Sequence, residues 1–351
     1  MPRAWILACN RSGSTLLLEV LRRLTQATVP DAPATTATAR AEFDEAIESW
    51  QARLAPVTFS STGCTNLGTI DFIAARHGAD HEFTFVTHLP IARDPFDVVH
   101  ACYTYPTAAA VAYCQQAPRF APVRHPLDIL VSHAFEYEHV LLEMHNDAQI
   151  DPEYREQYGH ARLASVDWVR GAGRYIAGFY AELLQRGRAI HTVRYEDFLD
   201  DASSTIQDLA NLVGAELDTT AAAALWDEVG FRPLRQNSAH LFRPGSGKWR
   251  EYLDRSHLAA LAATGLDHVT RELGYEWPTD LRHSVGSTGA TTARLEFDLA
   301  VGDAMNHLMF ATPVAFTDDA IEFLPLAGHG ANTRAIVSGA PLRDLLLDLQ
   351  A

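Results

Sequence analysis

Between an apolar run at residues 4–9 and a leucine-rich run that starts at Leu16, the chain places Asn10-Arg11-Ser12-Gly13-Ser14-Thr15. A strand feeding a helix through such a turn aims backbone N–H groups, a positive helix end, hydroxyls and one guanidinium at a single point, which suits a phosphate-like anion. The turn is not a Walker A loop. GxxxxGK[ST] needs a lysine before its final hydroxyl, and here the cation, Arg11, stands at the entrance. Arginine holds an oxyanion at any working pH but cannot lend it a proton. Alone, Gly13 and the hydroxyls read equally well as a helix cap.

Further segments add chemistry of the same kind. Arg124-His125-Pro126-Leu127-Asp128 follows the apolar stretch 120–123 and opens a helix that carries Ser132. An arginine at a strand end and a serine one turn inside the next helix can converge on one phosphate. Phe242-Arg243-Pro244-Gly245-Ser246-Gly247-Lys248-Trp249 is glycine-punctuated and doubly positive, which predicts a flexible loop able to close over an anion. The apolar run 190–194 leads into Tyr195, whose ring can meet a base. Finally, the run 83–86 ends in Thr87-His88-Leu89-Pro90. A neutral imidazole there can take a proton from a hydroxyl, or can simply close a strand end.

In order and spacing these segments resemble the sulfotransferases that use 3′-phosphoadenosine 5′-phosphosulfate (PAPS). The resemblance spans about residues 4 to 278. It implies that Arg11, Ser12, Gly13, Ser14 and Thr15 hold the 5′-phosphosulfate. It also implies that Arg124 and Ser132, in the family's RxPxDxxxS spacing, hold the 3′-phosphate with Arg243. The loop with Arg243, Pro244, Gly245 and Trp249 is similar to the family's RxGxxGxW cover, with Tyr195 and Trp249 shaping the adenosine side. THLP is similar to the segment that carries the catalytic histidine, so His88 is the expected base and Arg11 the electrostatic catalyst. PAPS is the co-substrate, its bisphosphate (PAP) the product, and no metal is required. The acceptor is a hydroxyl of a small molecule, lipid or carbohydrate.

The chain departs from the family where Arg11 replaces a common lysine and Val86 replaces another, leaving Arg11 a purely electrostatic role. The base is therefore open between His88 and a carboxylate, Glu136 or Glu138, although those two read more simply as a solvated helix face. Two other functions stay in view. A P-loop kinase would need a Walker lysine and carboxylates for Mg²⁺. A non-catalytic nucleotide-binding or scaffold protein would keep the anion pocket alone.

The elements that must position these residues follow from periodicity. Strand-like runs at 4–9, 83–88, 120–123 and 190–194 alternate with helical patterns at 15–25, 40–54, 126–144, 165–186, 202–213 and 257–272. That alternation predicts an α/β fold, a parallel sheet flanked by helices in a P-loop NTPase-like three-layer sandwich, with ligands at the strands' carboxyl ends. A sulfotransferase domain over 1–283, a small-residue linker over 284–292 and a C-terminal extension over 293–351 are expected. Within the extension, 295–299 reads as a half-buried strand and 341–350 as a helix. It can pack on the core, join a homodimer or bind a partner.

A formal charge of −16 on 351 residues repels polyanions, so nucleic acid is not an expected partner and any anion site must be local. Cys9, Cys64, Cys102 and Cys114 lack CxxC spacing, which predicts reduced thiols. No signal segment or membrane span is evident, so a cytoplasmic location is expected. His77 and His81 are spaced four apart but find no third ligand of telling spacing, so no metal site is expected.

Overall fold

The first strand, β1 (Ala4–Leu7), and the residues just after it carry two alternating sets of buried side chains. Trp5, Leu7 and Cys9 join one hydrophobic cluster; Ala4, Ile6 and Ala8 join another. A strand buried on both faces needs a helical layer on each, and the chain supplies them.

In this computed structural model, residues 4–26, 117–136, 150–234, 245–279 and 292–300 are described in full, with Pro106, Val111 and Leu281; 57–64, 69–77, 81–90, 99–102, 235–237, 313–317 and 320–323 are described as backbone. β1 leads into α1 (Ser14–Leu24), then come β2 (Val57–Cys64), β3 (Thr69–His77), β4 (His81–Pro90), β5 (Val99–Cys102) and β6 (Arg119–Val123). They are followed by α2 (Pro126–Ala134), α3 (Pro152–Ala164), α4 (Val166–Arg186), β7 (His191–Arg194), α5 (Asp197–Asp200), α6 (Ala202–Val213) and α7 (Thr219–Val229). The rest comprises α8 (Phe231–Asn237), α9 (Trp249–Tyr252), α10 (Arg255–Ala262), α11 (Leu266–Glu272), β8 (Pro313–Thr317) and β9 (Ala320–Phe323).

The main sheet has the order β5-β1-β6-β7, and every pairing in it is parallel. α1, α6 and α7 cover one face, while α2, α4, α10 and α11 cover the other. The fold is therefore a three-layer α/β sandwich, as expected. β1 and β6 pair only as far as Ile6 and Phe120, so the sheet parts beyond them at the strands' carboxyl ends.

Several expectations are corrected. The run 83–88 does not join the parallel sheet. It lies in β4 of a separate antiparallel sheet, β2-β3-β4, and β5 takes the edge beside β1. A single apolar run carries no information about its partner's direction. The helix expected over 126–144 ends at Ala134, with residues 137–149 outside the described residues. The helix expected over 257–272 is two, parted at Gly265, whose φ of 82° a side chain would resist.

Residues 293–300 are helical, not the strand expected over 295–299. Leu295 and Asp298 are buried while Glu296 and Phe297 are exposed, a spacing of three that only a helix presents on one face. Thr292 starts this helix by accepting from the Leu295 N–H at 3.2 Å. Leu295 packs on Tyr158, and the Tyr154 hydroxyl donates to Asp298 at 2.7 Å, so this part of the extension docks on α3. Residues 284–291 of the small-residue linker expected over 284–292, the pattern at 40–54 and the C-terminal pattern at 341–350 lie outside the described residues.

Candidate active site at the carboxyl ends of three adjacent strands

β1, β6 and β7 are neighbours, so their carboxyl ends deliver Arg11, Arg124 and Tyr195 to one place. The turn after β1 is shaped by Ser12, fully buried, whose N–H and hydroxyl both donate to the Cys9 carbonyl. It is pinned from α4, because the Asn10 N–H donates to the Tyr175 hydroxyl at 3.2 Å. Arg11 has φ 67°, left-handed for a residue with a side chain, and Gly13 has φ 106°. A Cβ on Gly13 would lie 2.7 Å from Tyr195 Cδ2, so glycine is required for the turn to pass beneath that ring. Gly13 is also the N-cap of α1 and supplies no side-chain cap, while Ser14 is buried and Thr15 exposed. Of the capping alternative, then, the Gly13 part holds and the hydroxyl part does not: Gly13 stands at the N-cap, and no side-chain cap is made there.

Arg124 is 7% exposed. Its guanidinium donates to the Arg11 carbonyl at 3.1 Å and to the Gly245 carbonyl at 2.9 Å, and lies 4.5 Å from the Tyr195 ring centre. Its buried Nε has no acceptor among the described residues. Burial pushes the Tyr195 hydroxyl up, against the attraction of Arg124 and a hydrogen bond from Gly245. Tyr195 therefore stays neutral, wedged among Gly13, Arg124 and Gly245.

Arg11 reaches α2, where Nε donates to Ser132 Oγ at 3.2 Å and a terminal nitrogen pairs with Glu136 at 3.2 Å. Glu136 is therefore no solvated helix position. The helix ends before it, and Arg162 donates to its carbonyl at 2.9 Å. Burial pushes the Glu136 carboxyl up. The charge of Arg11, a hydrogen bond and charge from His133, and the charge of Arg162 outweigh burial and bring it down to about 2. Spacing could not reveal this pairing, since Arg11 and Glu136 are 125 residues apart.

The glycine-rich loop meets the turn after β6. Only Ser246 separates Gly245 from Gly247, one residue fewer than RxGxxGxW, and both glycines take positive φ, 140° and 80°. Trp249, 2% exposed, stacks on His125 with ring centres 5.3 Å apart. His125 Nδ1 accepts from the Leu127 N–H at 3.2 Å, which caps α2, and burial lowers its pKa. Glu196 joins the same turn to the end of the core by accepting from the His125 N–H at 3.0 Å and the Tyr275 hydroxyl at 2.6 Å. Arg243 and Pro244 lie outside the described residues. So does the side chain of His88, whose backbone sits in β4 where the register with β3 shifts.

Among solved structures the chain is similar to mouse sulfotransferase SULT7A1 complexed with PAP, with 12% identity and TM-score 0.41 over 77% of this chain and 87% of that one. It is also similar to retinol dehydratase in complex with androsterone and inactive cofactor PAP, with 12% identity and TM-score 0.39 over 78% and 82%. A retinol dehydratase complex with retinol and PAP gives 15% identity and TM-score 0.41 over 80% and 83%. No protein-family model and no curated protein sequence matches the chain.

Among the described residues, no group of His, Cys, Asp and Glu could hold a metal ion, and no helix is long and apolar enough to cross a membrane.

Proposed function

We propose that this chain is a sulfotransferase that moves a sulfuryl group from PAPS to a hydroxyl of a small molecule, lipid or carbohydrate. One observation carries the reading: Arg11, Arg124, Ser132, Tyr195 and Gly245, drawn from separated stretches of sequence, form one hydrogen-bonded cluster beside an α1 N-terminus with no side-chain cap. Two guanidinium groups beside the N-terminus of α1 match a ligand with two separate anionic ends. The Arg124 Nε, buried and without an acceptor among the described residues, would be a further donor for the 3′-phosphate.

PAPS supplies the activated sulfuryl group and leaves as PAP. Around it, the α1 N-terminus with Gly13, Ser14 and Thr15 would receive the 5′ end, and Arg11 would stabilise charge on the oxygens that separate from sulfur. Arg124, Ser132 and Arg243 would hold the 3′-phosphate, with Tyr195, Pro244, Gly245 and Trp249 forming the adenosine side. His88 would take the acceptor's proton. Glu136 is the poorer base, because a carboxyl held near about 2 by Arg11 has little affinity for a proton.

The test is calorimetric titration with adenosine 3′,5′-bisphosphate and, separately, adenosine 5′-monophosphate. The reading expects a preference of at least about tenfold for the bisphosphate, the scale of charge-assisted hydrogen bonds to one more phosphate. Equal affinities would overturn it.

A further inference from the structure

We propose that Asp128 is a positioning residue that holds residues 245–249 against the turn after β6, making this stretch a wall of the 3′-phosphate site. The inference rests on the nucleotide reading above for its purpose, but not for its geometry.

Asp128 is 1% exposed and sits in the first turn of α2, where acidic residues commonly serve their own helix. Here His125 already caps α2 through Nδ1, which leaves the Asp128 carboxylate available for another partner. It faces across the site. Oδ2 accepts from the Gly247 N–H at 2.7 Å and from the Ser246 hydroxyl at 3.4 Å, and Oδ1 accepts from the Trp249 N–H at 3.3 Å. Trp249 begins α9, whose N-cap, Lys248, provides no side-chain cap. A carboxylate 121 residues away in sequence thus caps this helix.

One more hydrogen bond and one ring contact from the same turn secure the stretch: Arg124 donates to the Gly245 carbonyl, and His125 stacks on Trp249. The positive φ values of Gly245 and Gly247 are what let successive loop groups turn toward that turn. The amide and hydroxyl donors of the loop are met by this one carboxylate, and without it they would be stranded. The flexible loop expected from the glycines is, over residues 245–249, held from both ends.

Arg124 is the link to function. Its guanidinium bridges the Arg11 and Gly245 carbonyls, so Gly245 must stay in place for Arg124 to keep its direction. Releasing the loop would blunt discrimination by the 3′-phosphate more than binding of the rest of the nucleotide.

The experiment combines residue-resolved amide hydrogen exchange on the ligand-free chain with the bisphosphate and monophosphate titrations, on wild type, Asp128→Asn and Gly247→Ala. Asn keeps the shape but presents an NH₂ to donors. Ala at 247 strains a left-handed position and leaves Asp128 untouched. The expected result is protection of the Gly247 and Trp249 amides in wild type, its loss in Asp128→Asn, and a bisphosphate preference reduced by about tenfold in both variants. Unprotected amides in wild type would overturn the clamp, even if Asp128→Asn does not fold. Released amides with an unchanged preference would overturn its positioning role. A wild type that protects these amides yet binds both nucleotides equally would support the clamp and sink the nucleotide reading instead.

Discussion

Glu136→Gln keeps the shape of the side chain and removes the negative charge that Arg11 faces at 3.2 Å. Burial alone would raise this carboxyl. Arg11, His133 and Arg162 instead draw it from 4.5 to about 2. At about 1.4 kcal/mol per pH unit, that difference corresponds to about 3 kcal/mol in favour of the ionised folded chain. The side chain is 23% exposed, so solvent screens the pair modestly and the figure is an upper one. The sign follows from linkage: a carboxyl with its folded value below its unfolded one stabilises fully above 4.5, and that stability is lost as pH falls toward 2. Urea unfolding of both proteins across pH is the assay. The variant should be less stable by about 2 to 3 kcal/mol near neutral pH, with the gap falling below half by about pH 3. A gap that stays constant from about pH 7 to about pH 3 would refute the pairing as the source of the shift.

Two further substitutions probe how the site is supported. Gly13→Ala places a methyl group 2.7 Å from Tyr195 Cδ2 at a φ of 106°, and should cost about 3 kcal/mol in thermal unfolding. An unchanged melting temperature would show that Tyr195 does not press on the turn. Leu295→Ala removes the apolar contact of the 293–300 helix with Tyr158 and should cost about 2 to 3 kcal/mol in denaturant unfolding. No loss would mean that this helix does not dock on α3.

Much of the scaffold was legible because local rules agree with the global ones. α1, α4 and α6 lie close to the limits that periodicity implies, and the strands at 4–9, 120–123 and 190–194 stand where their apolar runs are. The 295–299 segment misled because five residues cannot separate a period of two from one of 3.6, and burial of Leu295 with Asp298 decided for the helix. The run at 83–88 misled for a different reason: its strand is real, but pairing direction depends on which chain lies beside it. Asp128 stood inside a recognised spacing without an evident task. Its partners follow more than a hundred residues later.

By itself, the sequence determined where charge, glycine and hydroxyl groups occur and, for the longer periodic stretches, which become helix or strand, since these depend on neighbours within a few residues. It placed Arg11, Arg124 and Tyr195 each just after a strand. Only the tertiary structure decided that those strands are adjacent, that Arg11 pairs with Glu136, and that Asp128 holds the glycine loop. Strand order and long-range ion pairs are set by how the two helical layers pack on the sheet, and that packing is a property of the whole chain.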